Sequence, residues 1–421
     1  MSSLIIHGGK PLCGTVRVSG SKNAVLGIIA AAMMLDGPCT LENVPDISDV
    51  RVLLEICEDF GAQVQRLDRH KIVIDPRTVR LQEARAENTR RIRASYYLLG
   101  ALLGRFGEVS MSLPGGCNFG TRPIDLHLKG FQAMGSQVEK GGGGIRLYSK
   151  GRLRGARVFL DTVSVGATIN LMLAGTRAEG VTIIENAAKE PHIVDVANFL
   201  NTMGADIKGA GTDVIRIHGV ARLEGGKCYS AIPDQIEAGT YMLMAAATRG
   251  DVTVSNIIPK HMEVLVAKLE EMGVHCEAGE DSYRVYCLPG ERLHCANFKT
   301  LPYPGFPTDL QPQTTAMLVT VEGLSRVFEG VWENRFQYVE ELKLMGADIQ
   351  IAGKYALING PVQMSGGRVQ ARDLRAGAAM VLAGLVAEGE TEILEAQYVE
   401  RGYEDIINKL TALGADIWKA D

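Results

Sequence analysis

The chain has little that would tie it to a membrane, a metal or an oxidising compartment. Its eight cysteines (13, 39, 57, 117, 228, 276, 287 and 295) form no CxxC pair and no Cys/His ligand spacing. That argues against a zinc site or a disulfide scaffold and for reduced thiols in a cytosolic setting. Apolar runs are short: AVLGIIAAAMML stops at Asp36, well before the ~18–20 residues that span a bilayer. The N-terminal MSSLIIHGGKPLCG lacks the charged start, apolar stretch and small-residue cleavage site of a secretory signal, so the expected location is cytoplasmic, with no membrane partner. Charge of either sign is also scarce in the sum. A formal net charge of -5 gives no global attraction to nucleic acid, so an anionic ligand would need a local cluster of cations.

What is present is a repeat. The element DFGAQV recurs as AMGSQV, TMGADI, EMGVHC, LMGADI and ALGADI, with glycines at 61, 135, 204, 273, 346 and 414, a period of ~70 residues that sets the architecture before any motif is considered. A second landmark, an apolar helix running to a glycine and then a strand, keeps the same beat at Gly37, Gly107, Gly180, Gly250, Gly323 and Gly389. These glycines suit left-handed helix ends. Each repeat then holds two helices and about four strands. The first helix of a repeat, as in AVLGIIAAAMM, INLMLAG and AGAAMVLAGLVA, is apolar almost all round and belongs inside. Six repeats with buried helices predict two α/β globules of three repeats each. An open solenoid would instead show amphipathic helices and capping repeats.

The entrances to these inner helices carry unexpected charges. Acidic or hydroxyl residues there, such as Ser164, Thr168, Asp234, Glu237 and Asp373, cap the helix and complement its dipole. Lys22, Arg93 and Arg375 occupy equivalent entrances, where a cation is disfavoured by about 0.3–1 kcal/mol. The loops into the second helices add Arg122, Arg335 and Arg401. Any one of these could be a solvated surface arginine. Six at repeat-equivalent entrances suit a ligand with a phosphate and a carboxylate. Cys117 lies in the glycine-rich turn PGGCNFG, just ahead of Arg122, where nearby cations favour the nucleophilic thiolate. Asp309 follows a Pro and a Thr that could cap the helix unaided. Among so many cations its carboxylate is the natural base toward an attacking hydroxyl, and no metal is required.

Read together and in order, SGSKNA, IRAS, PGGCNFGTRPIDLH, VSVGAT, FPTDLQ, ENRF, DLRA and RGYE resemble the UDP-N-acetylglucosamine 1-carboxyvinyltransferases, a family of enolpyruvyl transferases. The resemblance runs from Lys22 to Tyr403. It implies a two-domain inside-out α/β barrel of six βαβαββ-type repeats, three per domain. Residues 22–232 would form one domain with the Cys117 loop, and 1–21 with 233–421 the other with Asp309.

The resemblance also implies roles. Lys22, Arg122 and Arg401 would hold the phosphate of phosphoenolpyruvate, and Arg335 and Arg375 its carboxylate. Asn23 and Arg93 would lie beside UDP-N-acetylglucosamine. The uridine end would be held by Arg122, Pro123, Ile124, Asp125 and Leu126, by Ser164, Val165 and Gly166, and by the backbone of Val331. Asp309 would deprotonate the sugar 3'-hydroxyl, and Cys117 would protonate the methylene carbon. No cofactor is implied, and inactivation by the epoxide fosfomycin at Cys117 is expected. Thr162 stands where many members carry Lys, and Phe119 where an aliphatic residue is common. Two other readings are a shikimate-pathway enolpyruvyl transferase and a non-catalytic repeat scaffold.

Overall fold

The computed structural model describes residues 2–81, 86–112, 124–141 and 143–420. The chain divides into two compact units, Gly20–Ile232 and Met1–Ser19 with Pro233–Asp421. The proposed junction at Lys22 thus compares with a division at Gly20.

Within Gly20–Ile232, three inner helices pack on one another: α1 (Lys22–Ala32), α2 (Tyr97–Phe106) and α3 (Val165–Thr176). Every residue of α1 from Ala24 to Ala32 is buried, as its nearly unbroken apolar sequence requires. Three sheets flank them. Among the described residues their strand orders are Cys228–Ser230, Cys39–Glu42, Ile72–Asp75, Gln63–Arg66; then Glu108–Ser112, Gly144–Tyr148, Gln137–Gly141; then Asp206–Lys208, Val214–His218, Val181–Glu185, Arg157–Phe159. The strands alternate in burial, as Val181–Glu185 does with Thr182 and Ile184 fully buried, so one face of each sheet meets the core.

The other unit repeats the plan with α4 (Gln235–Ala247), α5 (Gln311–Leu318) and α6 (Leu374–Val386). Among the described residues its three sheets have four strands each. The N-terminal residues complete two of them. Ser3–His7 runs between Glu390–Leu394 and Asp416–Ala420, antiparallel to both, and Cys13–Arg17 lies parallel to Asp251–Ser255. Helices inside and strands outside, three sheets to a unit, is the inside-out α/β arrangement.

The repeat glycines behave as the pattern predicts in one set and only partly in the other. Gly61, Gly135, Gly204, Gly273, Gly346 and Gly414 all have positive φ. In the second set Gly107 is a left-handed cap of α2, but Gly37 and Gly250 do not have positive φ, and the left-handed residue beside Gly250 is Arg249, φ 55°. Gly250 is needed for room: a Cβ there would lie 2.1 Å from the Leu12 carbonyl oxygen.

Close helix approach has the same origin at Gly100 in α2, where an added Cβ would sit 2.3 Å from the Asn170 carbonyl oxygen of α3. The Gly100 N–H donates to Asn170 Oδ1 at 2.9 Å. Gly100→Ala is therefore expected to destabilise the protein by about 1–3 kcal/mol, the usual cost of overpacking. An unchanged urea midpoint would contradict this account of the α2/α3 contact.

Candidate active site

Four inner helices begin with side-chain caps, from Ser21, Ser164, Asp234 and Asp373. The other two, α2 and α5, have no side-chain cap and are entered through 3-10 turns, Arg93–Tyr96 and Thr308–Leu310. Neither Thr308 nor Asp309 caps α5, contrary to the capping alternative the sequence left open. Their side chains are directed elsewhere.

Asp309 is held by two arginines. Arg375 Nη2 donates to its Oδ2 at 2.9 Å, and Arg335 Nη2 approaches Oδ1 at 3.4 Å. The guanidinium-bearing residues are buried, Arg335 at 3% and Arg375 at 4% exposure, while the Asp309 side chain is 32% exposed. The carboxylate therefore sits at the solvent edge of two buried cations. Burial alone would disfavour the Arg375 charge, but Asp309, with Tyr403 and Asp234, more than offsets it and raises its pKa above the usual arginine value. Arg375 stays fully charged.

Arg375 is also fixed from behind. Its Nη1 donates to the Tyr403 hydroxyl at 3.2 Å. That hydroxyl lies 2.9 Å from Thr240 Oγ1 and accepts from Gln313 Nε2 at 2.9 Å. Thr240, Gln313 and Arg375 come from α4, α5 and α6, so one phenol oxygen joins all three inner helices of this unit. Tyr403 closes the turn after Gln397–Glu400 that also carries Arg401. A Cβ on Gly402 would meet Leu374 at 2.7 Å, so the turn lies tight against the start of α6. Val331, 38% exposed, donates its backbone N–H to Glu329 Oε1 at 2.8 Å, which leaves its carbonyl for any ligand contact.

In the Gly20–Ile232 unit, Lys22 opens α1 and its Nζ lies 3.3 Å from Asp49 Oδ2, with side-chain exposures of 13% and 7%. Asp49, in the first turn of Ser48–Asp59, offsets the unfavourable meeting of a cation with a helix N-terminus. Asn23 follows, half-buried.

A second group forms around His127. Arg93 stacks over Tyr96, 5.8 Å to the ring centroid, and Tyr96 lies 6.3 Å from the His127 ring. Gly166 is set so close that a Cβ would lie 2.9 Å from His127 Nε2. Burial first, then the nearby Arg93 charge, lowers the His127 pKa to about 4, so the imidazole is neutral. Ile124 and Leu126 pack partly into the core beside it, Asp125 is exposed, and Val165 begins α3 after the Ser164 cap. Thus Arg93, Ile124 to Leu126 and Ser164 to Gly166, far apart in the chain, flank one buried histidine. Cys117, Phe119, Arg122 and Pro123 lie outside the described residues. Among the described residues, no group of three or more His, Cys, Asp or Glu side chains could hold a metal ion.

Residues 6–410 match the family EPSP synthase (3-phosphoshikimate 1-carboxyvinyltransferase). The chain is 53% identical over 417 residues, 99% of both chains, to UDP-N-acetylglucosamine 1-carboxyvinyltransferase 3 of Caldanaerobacter subterraneus subsp. tengcongensis. It is 54% identical over 419 residues, all of both chains, to UDP-N-acetylglucosamine 1-carboxyvinyltransferase of Halothermothrix orenii. The chain belongs to the UDP-N-acetylglucosamine 1-carboxyvinyltransferase family. This enolpyruvyl transferase is also similar to the enolpyruvyl transferase NikO from Streptomyces tendae, with a TM-score of 0.90 and 28% identity over 100% of this chain and 99% of that one. EPSP synthase from Acinetobacter baumannii, at TM-score 0.77 and 19% identity with full coverage of both chains, shares the fold. Among the described residues no helix is long and apolar enough to cross a membrane.

Sequence reasoning missed the groups that back the candidate residues: Asp49 behind Lys22, His127 behind Gly166, Tyr403 behind Arg375 and Glu329 behind Val331. His127 and Tyr403 stood within quoted motifs, RPIDLH and RGYE. Their burial among charged groups was the missing signal.

Proposed function

We propose that the enzyme transfers the enolpyruvyl group of phosphoenolpyruvate to the 3'-hydroxyl of UDP-N-acetylglucosamine, releasing phosphate. This is the first committed step of peptidoglycan synthesis, carried out in the cytoplasm. The observation that carries the chemical reading is Asp309, a partly exposed carboxylate held between the buried Arg335 and Arg375. Two guanidinium groups hold and aim it, as a general base requires.

In this reading Asp309 takes the hydroxyl proton as the oxygen bonds to the central carbon of phosphoenolpyruvate. Cys117 delivers a proton to the methylene carbon, giving a tetrahedral adduct. The methyl carbon so formed then returns a proton to the Cys117 thiolate while the bond to the phosphate oxygen breaks, leaving the enolpyruvyl ether and inorganic phosphate, which takes up the proton held by Asp309. Arg335 and Arg375 would hold the substrate carboxylate, and Lys22, Arg122 and Arg401 the phosphate. Asn23 and Arg93 would contact the sugar nucleotide. Residues 122–126, Ser164 to Gly166 and the Val331 carbonyl would hold its uridine end. The neutral His127 supports that assignment, since it adds no charge where a nucleobase is read and backs the Gly166 turn.

Phosphate release should be rapid with phosphoenolpyruvate plus UDP-N-acetylglucosamine and absent with shikimate 3-phosphate as the acceptor. Turnover with shikimate 3-phosphate alone would overturn the assignment.

A further inference from the structure

Glu329 is a buried carboxylate, 1% exposed, for which the proposed chemistry has no role. It follows the strand Gly323–Phe328 and draws three separate stretches of backbone together. Its Oε1 accepts from Thr300 Oγ1 at 2.8 Å and from the backbone N–H groups of Val331 at 2.8 Å and Trp332 at 3.0 Å. Its Oε2 accepts from Thr308 Oγ1 at 3.0 Å. Thr300 in turn accepts the Gly330 N–H at 2.8 Å, so the segment leaving the strand is fastened at successive residues.

Two of these connections lead directly to groups assigned to the reaction. Thr308 precedes Asp309 in the same 3-10 turn. That turn has no side-chain cap of its own, because the Thr308 hydroxyl is spent on Glu329. Val331 and Trp332 begin the loop that reaches Arg335, which opens the 3-10 turn Arg335–Tyr338. Arg335 then returns to Asp309 at 3.4 Å. The result is a closed loop of contacts: Glu329 to Thr308, Thr308 to Asp309 along the chain, Asp309 to Arg335, and back through the loop to Glu329. It also fixes the peptide that presents the Val331 carbonyl.

A buried carboxylate costs several kcal/mol to desolvate unless its oxygens are fully used. Here four donors use them, two of them backbone N–H groups of a loop with no ladder of its own. We infer that Glu329 is a positioning residue for the transfer reaction, setting the Asp309 carboxylate and the Val331–Arg335 loop in one register by hydrogen bonds to Thr308, Val331 and Trp332. The inference rests on the reading of Asp309 as the base.

Four variants test it in the phosphate-release assay with phosphoenolpyruvate and UDP-N-acetylglucosamine. Glu329→Ala is expected to lower kcat by about 10²-fold, the penalty for roughly an ångström of misplacement at a reacting centre. Glu329→Gln keeps an acceptor toward both backbone N–H groups and can donate to the Thr308 hydroxyl, so it should restore activity to within ~10-fold of the parent. Thr308→Val cuts only the branch to Asp309. It should lower kcat several-fold while both KM values stay within about twofold, a split expected when an interaction matters only in the transition state. In an Asp309→Asn background, Glu329→Ala should add far less than its separate effect, since coupled residues are not additive.

If Glu329→Ala does not fold, Thr308→Val and Glu329→Gln decide the matter. A folded Glu329→Ala enzyme with the parent kcat, a Gln variant slower than the parent by much more than ~10-fold, or a Thr308→Val enzyme with unchanged kcat would each overturn the inference. Parent kcat in Asp309→Asn would remove the base assignment and the inference with it. A slow Asp309→Asn enzyme beside a normal Glu329→Ala enzyme would remove the inference alone.

Discussion

Asp309→Asn is expected to lower kcat by about 10²- to 10⁴-fold, the range that a positioned general base supplies. The amide preserves the shape of the side chain and one acceptor oxygen, so the 2.9 Å contact from Arg375 or the 3.4 Å contact from Arg335 can persist. What it cannot do is accept the proton. The variant also removes the negative charge that now shares these two guanidinium groups, leaving them more available to an incoming carboxylate. The KM for phosphoenolpyruvate should therefore stay level or fall while kcat collapses. Steady-state kinetics with each substrate varied would show this. A raised KM at unchanged kcat would make Asp309 a binding group and not the base.

Arg375→Met should be nearly as damaging, by a different route. Arg375 is 4% exposed and divides its guanidinium between Asp309 and Tyr403. Truncating one member of a buried, hydrogen-bonded charge pair costs about 2–5 kcal/mol, or roughly 30-fold to a few thousand-fold, much of it from the partner left behind. Here the expected loss is in kcat/KM for phosphoenolpyruvate. Folding stability should fall less, because the Asp309 side chain is 32% exposed and can take up water. Arg375→Lys should rescue poorly: one ammonium cannot reproduce two nitrogens directed at Asp309 and Tyr403 at once. Kinetics and thermal melts of the pair check both statements, and full activity in the Lys variant would show that charge alone suffices.

The repeat was the most legible feature of the sequence because it is written in glycine. Where a left-handed turn recurs every repeat, as from Gly61 to Gly414, only glycine is comfortable, and the spacing survives divergence around it. The inner helices were legible where they are apolar, as in α1 and α6. Hydropathy could not find α5, whose Gln311, Gln313, Thr314 and Thr315 are all fully buried. It tolerates burial because Thr314 and Thr315 return their hydroxyls to the Leu310 and Gln311 carbonyls, and Gln313 donates to Tyr403.

The candidate residues were readable only as charges out of place. Lys22, Arg93 and Arg375 stood out because helix entrances disfavour cations. Their counter-groups did not, because Asp49 in a helix first turn and Tyr403 in a short turn look ordinary until the fold sets them 3.3 Å and 3.2 Å from their partners. Glu329 gave no signal at all. A glutamate after a strand reads as a surface residue, and only its 1% exposure reveals otherwise.

The placement of Ser3–His7 between Glu390–Leu394 and Asp416–Ala420 has a temporal side. On the ribosome these residues emerge well before both strands that pair with them. Among the described residues, the Gly20–Ile232 unit has all its strands once Cys228–Ser230 has left the exit tunnel, so it can close while synthesis continues. The opening strand meanwhile waits with both edges bare, and an unpaired edge invites wrong partners. Nascent chains stalled between these two points would pair a finished globule with an unsheltered β-edge, which makes that interval the one most in need of a chaperone.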